Sequence, residues 1–329
     1  MSLIRNLIAW IAVAVFVFAA GITYWAFQPI IGTAHQPVAF SIKAGSSTRS
    51  TANQISQAGV PVNPILLEAL ARGTGKSAKL KAGSYELKPG ATPMSLLNQL
   101  VRGEFAQESL AIIEGWTFKQ MREAIGRHPA TNHDTAGLSE SELLAKLTPD
   151  FKLAEGLFFP DTYLFAKGSS DLQIYKQAHA LLLKHLNEGW AKRDPDLPYK
   201  TPYDALIMAS IVEKETGQKS ERKQIAGVFV NRLKAGMLLQ TDPTVIYGMG
   251  SVYKGDIRKS DLLRDTPYNT YTRAGLPPTP IALPGAASLA AALNPAKTEA
   301  LYFVSRGDGS SQFSTTLEDH NRAVNKYQR

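Results

Sequence analysis

The first strong pattern along the chain is an apolar run from Leu7 to Phe27 that contains no Asp, Glu, Lys or Arg. As a helix, a run of that length crosses about 30 Å of hydrocarbon. Arg5 precedes it and no charged residue follows until Lys43, so the positive-inside rule predicts a cytoplasmic N-terminus and an exported remainder. Trp10, Tyr24 and Trp25 are placed to act as interface anchors. The run exceeds the roughly 7–15 apolar residues of a signal peptide. A retained anchor is therefore the favoured reading, and a peptide cleaved near Gly32-Thr33-Ala34 is its rival.

From about Phe40 the pattern becomes mixed. Ser41 to Gly45 reads as a strand and turn, Ser47 to Ala58 and Asn63 to Ala71 as helices, Lys81 to Leu87 as a strand, and Met94 to Val101 as a helix. Ala111 to Thr117 reads as a strand entering a helix, Phe118 to Ile125, capped by Thr117. Glu114 in that strand is a candidate carboxylate, although a strand-end Glu before Gly is more often structural. Helices follow at Glu140 to Leu147 and Leu172 to Lys192. Between them Glu155, Asp161 and Tyr163 are candidates to line a groove. Gly285 to Leu293 is Ala-rich and helical, Leu301 to Ser305 and Phe313-Ser314 read as paired strands, and Leu317 to Tyr327 closes as a helix. The class is α+β, divided as 1–6 (N-terminus), 7–27 (transmembrane helix), 28–39 (linker), 40–105 (small subdomain) and 106–329 (larger domain).

The segment from Ala209 to Gly248 carries the chemistry. Thr201-Pro202-Tyr203-Asp204 is a helix start, with Thr201 as cap, Pro202 at the first helical position and Asp204 reaching back; Gly217 is the expected stop. At about 100° per residue, Met208, Ile211, Val212 and Glu215 share one face, and Glu213 points about 160° away from Glu215. A carboxylate inside an apolar stripe is unfavourable when charged, so burial raises its pKa and makes it a candidate general acid. The plain alternative is a pair of glutamates at a frayed helix end, where the dipole disfavours them slightly. Ser220 is the expected cap of a second helix, Glu221 to about Ala235, with Ile225, Val228, Phe229 and Leu233 inward. Gln240, Thr241, Asp242 and Tyr247 then cluster around Pro243. Such side chains hydrogen-bond sugar hydroxyls and acetamides well, and the same pattern serves an ordinary polar turn.

Composition narrows the classes. The 329 residues carry 36 Lys and Arg against 28 Asp and Glu, a formal net charge of +8. The positive residues are scattered rather than clustered with aromatics, which argues against nucleic acid and fits anionic lipid or an acidic polymer. The absence of cysteine excludes disulfides, Cys-ligated zinc and thiol catalysis. The six histidines show no HExxH spacing, so no metal site and no cofactor are expected.

The blocks SIVEKET, GVFVNRLKAGMLLQTDPTVIYG, Tyr268-Asn269-Thr270-Tyr271, Gly275-Leu276-Pro277-Pro278, Pro280-Ile281 and Asn294-Pro295-Ala296 resemble, in order, the endolytic murein transglycosylase (YceG-like) family. The likeness extends upstream through Glu155-Gly156-Leu157 and Phe159-Pro160-Asp161-Thr162-Tyr163. It implies a single-pass protein of the cell inner membrane, with a LysM-like subdomain over 40–105 and a periplasmic catalytic domain over 106–329. It implies cleavage of the MurNAc–GlcNAc bond within nascent glycan strands, leaving 1,6-anhydro ends and terminating elongation, near murein synthases.

On that resemblance Glu215 is the catalytic acid and base. Glu213, Thr216, Gln240, Thr241, Asp242, Tyr247, Tyr268 and Asn269 form the substrate-binding set, and Thr216 beside Glu215 matches a Glu-Ser/Thr pairing. One carboxyl suffices when the sugar's own hydroxyl attacks, whereas hydrolysis needs two. A muramidase using Asp242 as base and a non-catalytic glycan-binding scaffold remain the alternatives.

Overall fold

The computed structural model describes residues 2–32, 36–215 and 218–328, and side chains are left out of that description for residues 2–9, 12 and 15. Within it the chain forms a mixed α+β fold of thirteen α-helices and small two-stranded sheets. Two compact units emerge. The first comprises Met1–Glu108 with Ala130–Asn132 and Leu164–Ser169, and the second comprises Ser109–Pro129, His133–Tyr163 and Ser170–Arg329.

In the first unit, strand Val38–Ile42 runs antiparallel to Gly83–Leu87, from Val38↔Leu87 to Ile42↔Gly83. Between them lie helices Thr48–Gln57 and Pro64–Gly73, and helix Pro93–Arg102 follows. Each start is written in the sequence: Ser47 accepts from the Ser50 amide, Asn63 from Ile65 and Leu66, and Thr92 exchanges bonds with Ser95. Alternate strand residues Phe40, Ile42, Tyr85 and Leu87 enter a core with Ile55, Leu67, Leu96 and Leu100. This alternation also corrects the expected first strand: it lies three residues earlier than Ser41, because Phe40 must pair and face inward.

The first helix runs Ser2–Ala26. Its end, through Ile22, Trp25 and Ala26, packs on Leu70, Ala71 and Leu97. Among the described residues no helix is long and apolar enough to cross a membrane.

The second unit is built around helix Pro202–Glu215, which packs against Leu172–Ala191, Arg222–Lys234, Asp242–Met249 and Ala286–Leu293. Its start follows the expectation, with the Asp204 carboxylate accepting from the Thr201 amide at 3.0 Å and Thr201 accepting from the Asp204 amide at 3.3 Å. The single apolar stripe does not hold. Ala205 through Val212 are buried without a break, as befits a helix surrounded by partners.

Arg222–Lys234 is likewise buried nearly all round, and a Cβ at Gly227 would stand 2.5 Å from the Ala296 carbonyl oxygen. Its expected cap is corrected too: Ser220 sits inside a short 3₁₀ turn, Lys219–Glu221, and gives no side-chain cap. The strand expected at Ala111–Thr117 ends at Ala111. Beyond it Trp116 bonds back to Ile113, and Gly115 at φ 77° turns the chain into the Thr117-capped helix Phe118–Gly126. Strands Tyr302–Ser305 and Ser311–Ser314 form an antiparallel hairpin, and helix Leu317–Tyr327 closes the unit.

Candidate active site

Glu215 ends the central helix, and its side chain meets the start of the Asp242–Met249 helix. The polar cluster around Pro243 is thus not a plain turn but begins a helix, with Pro243 in its first turn, where no amide donor is required. Thr241 occupies the cap position but does not cap with its hydroxyl, which donates to Glu215 Oε1 instead. The cap's backbone is held by Thr270, whose hydroxyl accepts from the Thr241 amide at 3.1 Å and pairs with Thr244 at 2.9 Å. Gln240, just before, has φ 51°, a left-handed conformation that few non-glycine residues adopt. Its amide bonds to the Thr270 carbonyl at 3.1 Å, and this tie to the neighbouring loop holds the conformation.

Burial raises the Glu215 pKa above the ordinary carboxylic range. The Thr241 hydroxyl opposes that shift, the Asp242 charge adds to it, and the Arg232 charge opposes it. Arg232 is itself buried. It donates from Nε to the Leu301 carbonyl at 2.7 Å and from Nη1 to Leu239 at 2.8 Å, with its guanidinium 5.2 Å from the Tyr302 ring centre. Asp242 is exposed and accepts from the Tyr271 hydroxyl at 2.5 Å.

Glu215, Arg232, Gln240, Asp242 and Tyr271 open into one cleft of about 640 Å³. Its other wall comes from the hairpin and closing helix, through Tyr302, Ser305, Ser310, Ser311, His320 and Asn321. The mixture of the half-buried Glu215, the carboxyls of Glu221 and Asp242, the buried Arg232 and many neutral hydrogen-bonders suits a polar sugar chain better than an apolar ligand. Among the described residues no group of three or more His, Asp or Glu converges as a metal site would require.

Not every expected residue joins this cleft. Glu213 is buried in an ion pair with Arg222 at 3.2 Å and accepts from the Gly285 amide at 3.0 Å. Both of its oxygens have partners inside the protein, Arg222 and the Gly285 amide. Asn269 is fully buried: it donates to the carbonyls of Leu262 and Arg264 and accepts from the Tyr271 amide. Through these bonds it organises the loop that presents Tyr271. Thr216 and Gly217 lie outside the described residues.

Tyr247 and Tyr268 belong to a second cluster. Their rings meet edge to face at 4.9 Å, Tyr268 bonds to Thr279 at 2.9 Å, and the Tyr247 hydroxyl donates to Glu155 Oε2 at 3.1 Å. Glu155 Oε1 accepts from the Phe118 amide at 2.9 Å. Burial is the main cause that pushes the Glu155 carboxyl up to about 7, against the bonds from Phe118 and Tyr247. The turn that delivers it needs Gly156, at φ 78°, where a Cβ would collide with the Pro280 ring.

The model of the YceG-like family matches residues 40–326. The chain belongs to that family. A protein of Bacillus subtilis named endolytic murein transglycosylase is 31% identical over 91% of this chain and 87% of its own length. A protein of the same name from Streptococcus pneumoniae is 26% identical over 90% of this chain, which spans 59% of that longer relative. The crystal structure of a YceG-like protein from Listeria monocytogenes is similar at a TM-score of 0.55 and 31% identity, covering 87% of this chain and 98% of that one.

For this YceG-like chain, sequence reasoning missed Tyr271 and Arg232. Tyr271 stood inside a quoted block without a role, and only the loop fold brings it to Asp242. Arg232 looked like one more basic residue of an amphipathic helix.

Proposed function

We propose that the chain is a lytic transglycosylase acting within peptidoglycan glycan strands, with Glu215 as its one acid and base. The observation that carries this is a half-buried carboxyl, raised in pKa and bonded by the Thr241 hydroxyl, at the edge of a sugar-sized cleft. Protonated Glu215 donates to the glycosidic oxygen between MurNAc and GlcNAc as the bond to C1 breaks. The resulting carboxylate takes the proton of the MurNAc C6 hydroxyl, whose oxygen bonds to C1. The proton count closes, no water is consumed, and the product ends in 1,6-anhydro-MurNAc. A tethered nucleophile supplies a large effective concentration, so no second carboxylate is needed. Arg232 supports the carboxylate formed midway, and Gln240, Asp242 and Tyr271 are the groups placed to orient sugar in the cleft.

Asp242 lines the same cleft as Glu215, and this favours hydrolysis as the second reading, with Asp242 activating water. Product ends separate the two: anhydro-MurNAc for the first, free reducing MurNAc for the second.

The same reading covers the rest of the chain. The apolar run Leu7 to Phe27 anchors the protein in the inner membrane, with the N-terminus cytoplasmic and both units periplasmic. The strand–helix–helix–strand unit acts as a LysM-like module near the membrane, beside the synthases whose nascent strands are cut. Support comes from the charge-free apolar run, the Arg5 and Lys43 placement and the antiparallel pairing of the two strands. Membrane flotation of the intact chain, with and without residues 1–30, tests the anchor.

A further inference from the structure

Glu155 is a buried carboxyl that the proposed reaction does not use. It joins two elements of the second unit: the first amide of helix Phe118–Gly126, and Tyr247 on the helix whose start carries Thr241 and Asp242. That helix has only eight residues, so Tyr247 sits just over one turn from Asp242. A rigid piece this short transmits a tilt at Tyr247 directly to Thr241, the donor to Glu215. Its cap end is held by Thr270, and the Tyr247 hydroxyl is the fixing point on its following turn.

We propose that the Glu155–Tyr247 bond is a strut that sets the placement of Thr241 and Asp242 against Glu215, so that Tyr247 is a positioning residue rather than a sugar contact. Three observations argue for this. Tyr247 and Tyr268 do not line the cleft that holds Glu215. The Tyr247 hydroxyl is directed to Glu155, while its ring is steadied edge-on by Tyr268, itself tied to Thr279. The loop bearing Glu155 is fixed by Gly156, which only glycine satisfies against Pro280. Displacing an acid's donor by a fraction of an ångström affects the chemical step more than ground-state binding.

The inference rests on the proposed transglycosylase reading. It is tested with the full chain in detergent on uncrosslinked glycan strands, measuring kcat and KM for the parent, Tyr247→Phe, Glu155→Ala, Glu155→Gln and the double variant Tyr247→Phe/Glu155→Ala. Tyr247→Phe removes one oxygen and keeps the ring packing. It is expected to lower kcat about tenfold, with KM within about twofold of the parent. Glu155→Ala behaves the same way, and the double variant is no slower than the slower single one. Glu155→Gln, whose carbonyl accepts from Phe118 and whose amide donates to the Tyr247 oxygen, restores kcat to within about threefold. Should Glu155→Ala fail to fold, Tyr247→Phe and Glu155→Gln carry the test alone. A Tyr247→Phe enzyme with raised KM and parental kcat overturns the proposal by making Tyr247 a sugar contact, and parental values for both overturn it outright. A parent that forms no anhydro-ended product overturns the functional reading, and this inference with it.

Discussion

At the scale of single residues, the two glutamates of the central helix separate by environment. Glu215 is half-buried beside a hydroxyl donor and a cleft, and the Glu213 side chain is buried in an ion pair. Glu215→Gln keeps the shape and removes the proton, so kcat is expected to fall about 10²–10⁴-fold with an unchanged melting temperature. Glu213→Gln leaves Arg222 buried without its counter-charge. It is expected to lower unfolding stability by about 3 kcal/mol, measured by denaturant titration, while the folded enzyme keeps making the same products.

Thr241→Val removes the bond that favours the ionised form of Glu215, so the Glu215 pKa rises further. The basic limb of kcat/KM against pH is then expected to move to higher pH, and a shift to lower pH contradicts the assignment of that hydroxyl. The sequence showed Glu215 as unusual because a charge fell on an apolar face. The Glu213–Arg222 pair was not legible, because the helix wheel assumes an outer face turned to water and Ala205 to Val212 are buried on every side.

At the scale of elements, most helix starts were legible, since Ser47, Asn63, Thr92, Thr117, Ser139, Thr201 and Thr316 all bond as cap residues should. The exceptions are instructive. Thr241 precedes a helix and does not cap it with its hydroxyl, and that departure marks the site. Ser220 was not needed as a cap because a 3₁₀ turn leads into the helix. Asp242–Met249 hid behind its proline, which reads equally as a turn former or as a first-turn residue.

The Glu155 element gives a pH prediction. Its folded pKa of about 7 lies above the ordinary 4.5, chiefly through burial, with Phe118, Tyr247 and the Glu140 charge around it. The folded form therefore keeps its proton while the unfolded chain loses it. The stability from this group is full below about pH 4.5 and is lost as pH rises through about 7, a loss of about 3 kcal/mol. Denaturant unfolding at pH 5 and pH 8 is expected to show that fall in the parent and to show it much reduced in Glu155→Gln.

At the scale of the whole molecule, the α+β class and the family were readable from ordered blocks spread along the chain, and the match over residues 40–326 bears this out. What the blocks did not reveal was their grouping. Of the residues quoted as one binding set, Gln240, Thr241 and Asp242 stand around Glu215 and Tyr247 and Tyr268 around Glu155, and the shared helix Asp242–Met249 presents Asp242 to one cluster and Tyr247 to the other. Sequence order carries no such sidedness until the loop holding Asn269 and Tyr271 is folded. The cleft's far wall, from Tyr302 to Asn321, was likewise invisible as a site because its strands and helix carry no distinctive motif.

The measurement that bears most directly on the central claim is mass spectrometry of products from the full chain and from Glu215→Gln on uncrosslinked glycan strands. Fragments ending in 1,6-anhydro-MurNAc from the parent, with none from Glu215→Gln, are the predicted result. Fragments ending in free reducing MurNAc, or anhydro-ended fragments that persist in Glu215→Gln, contradict it.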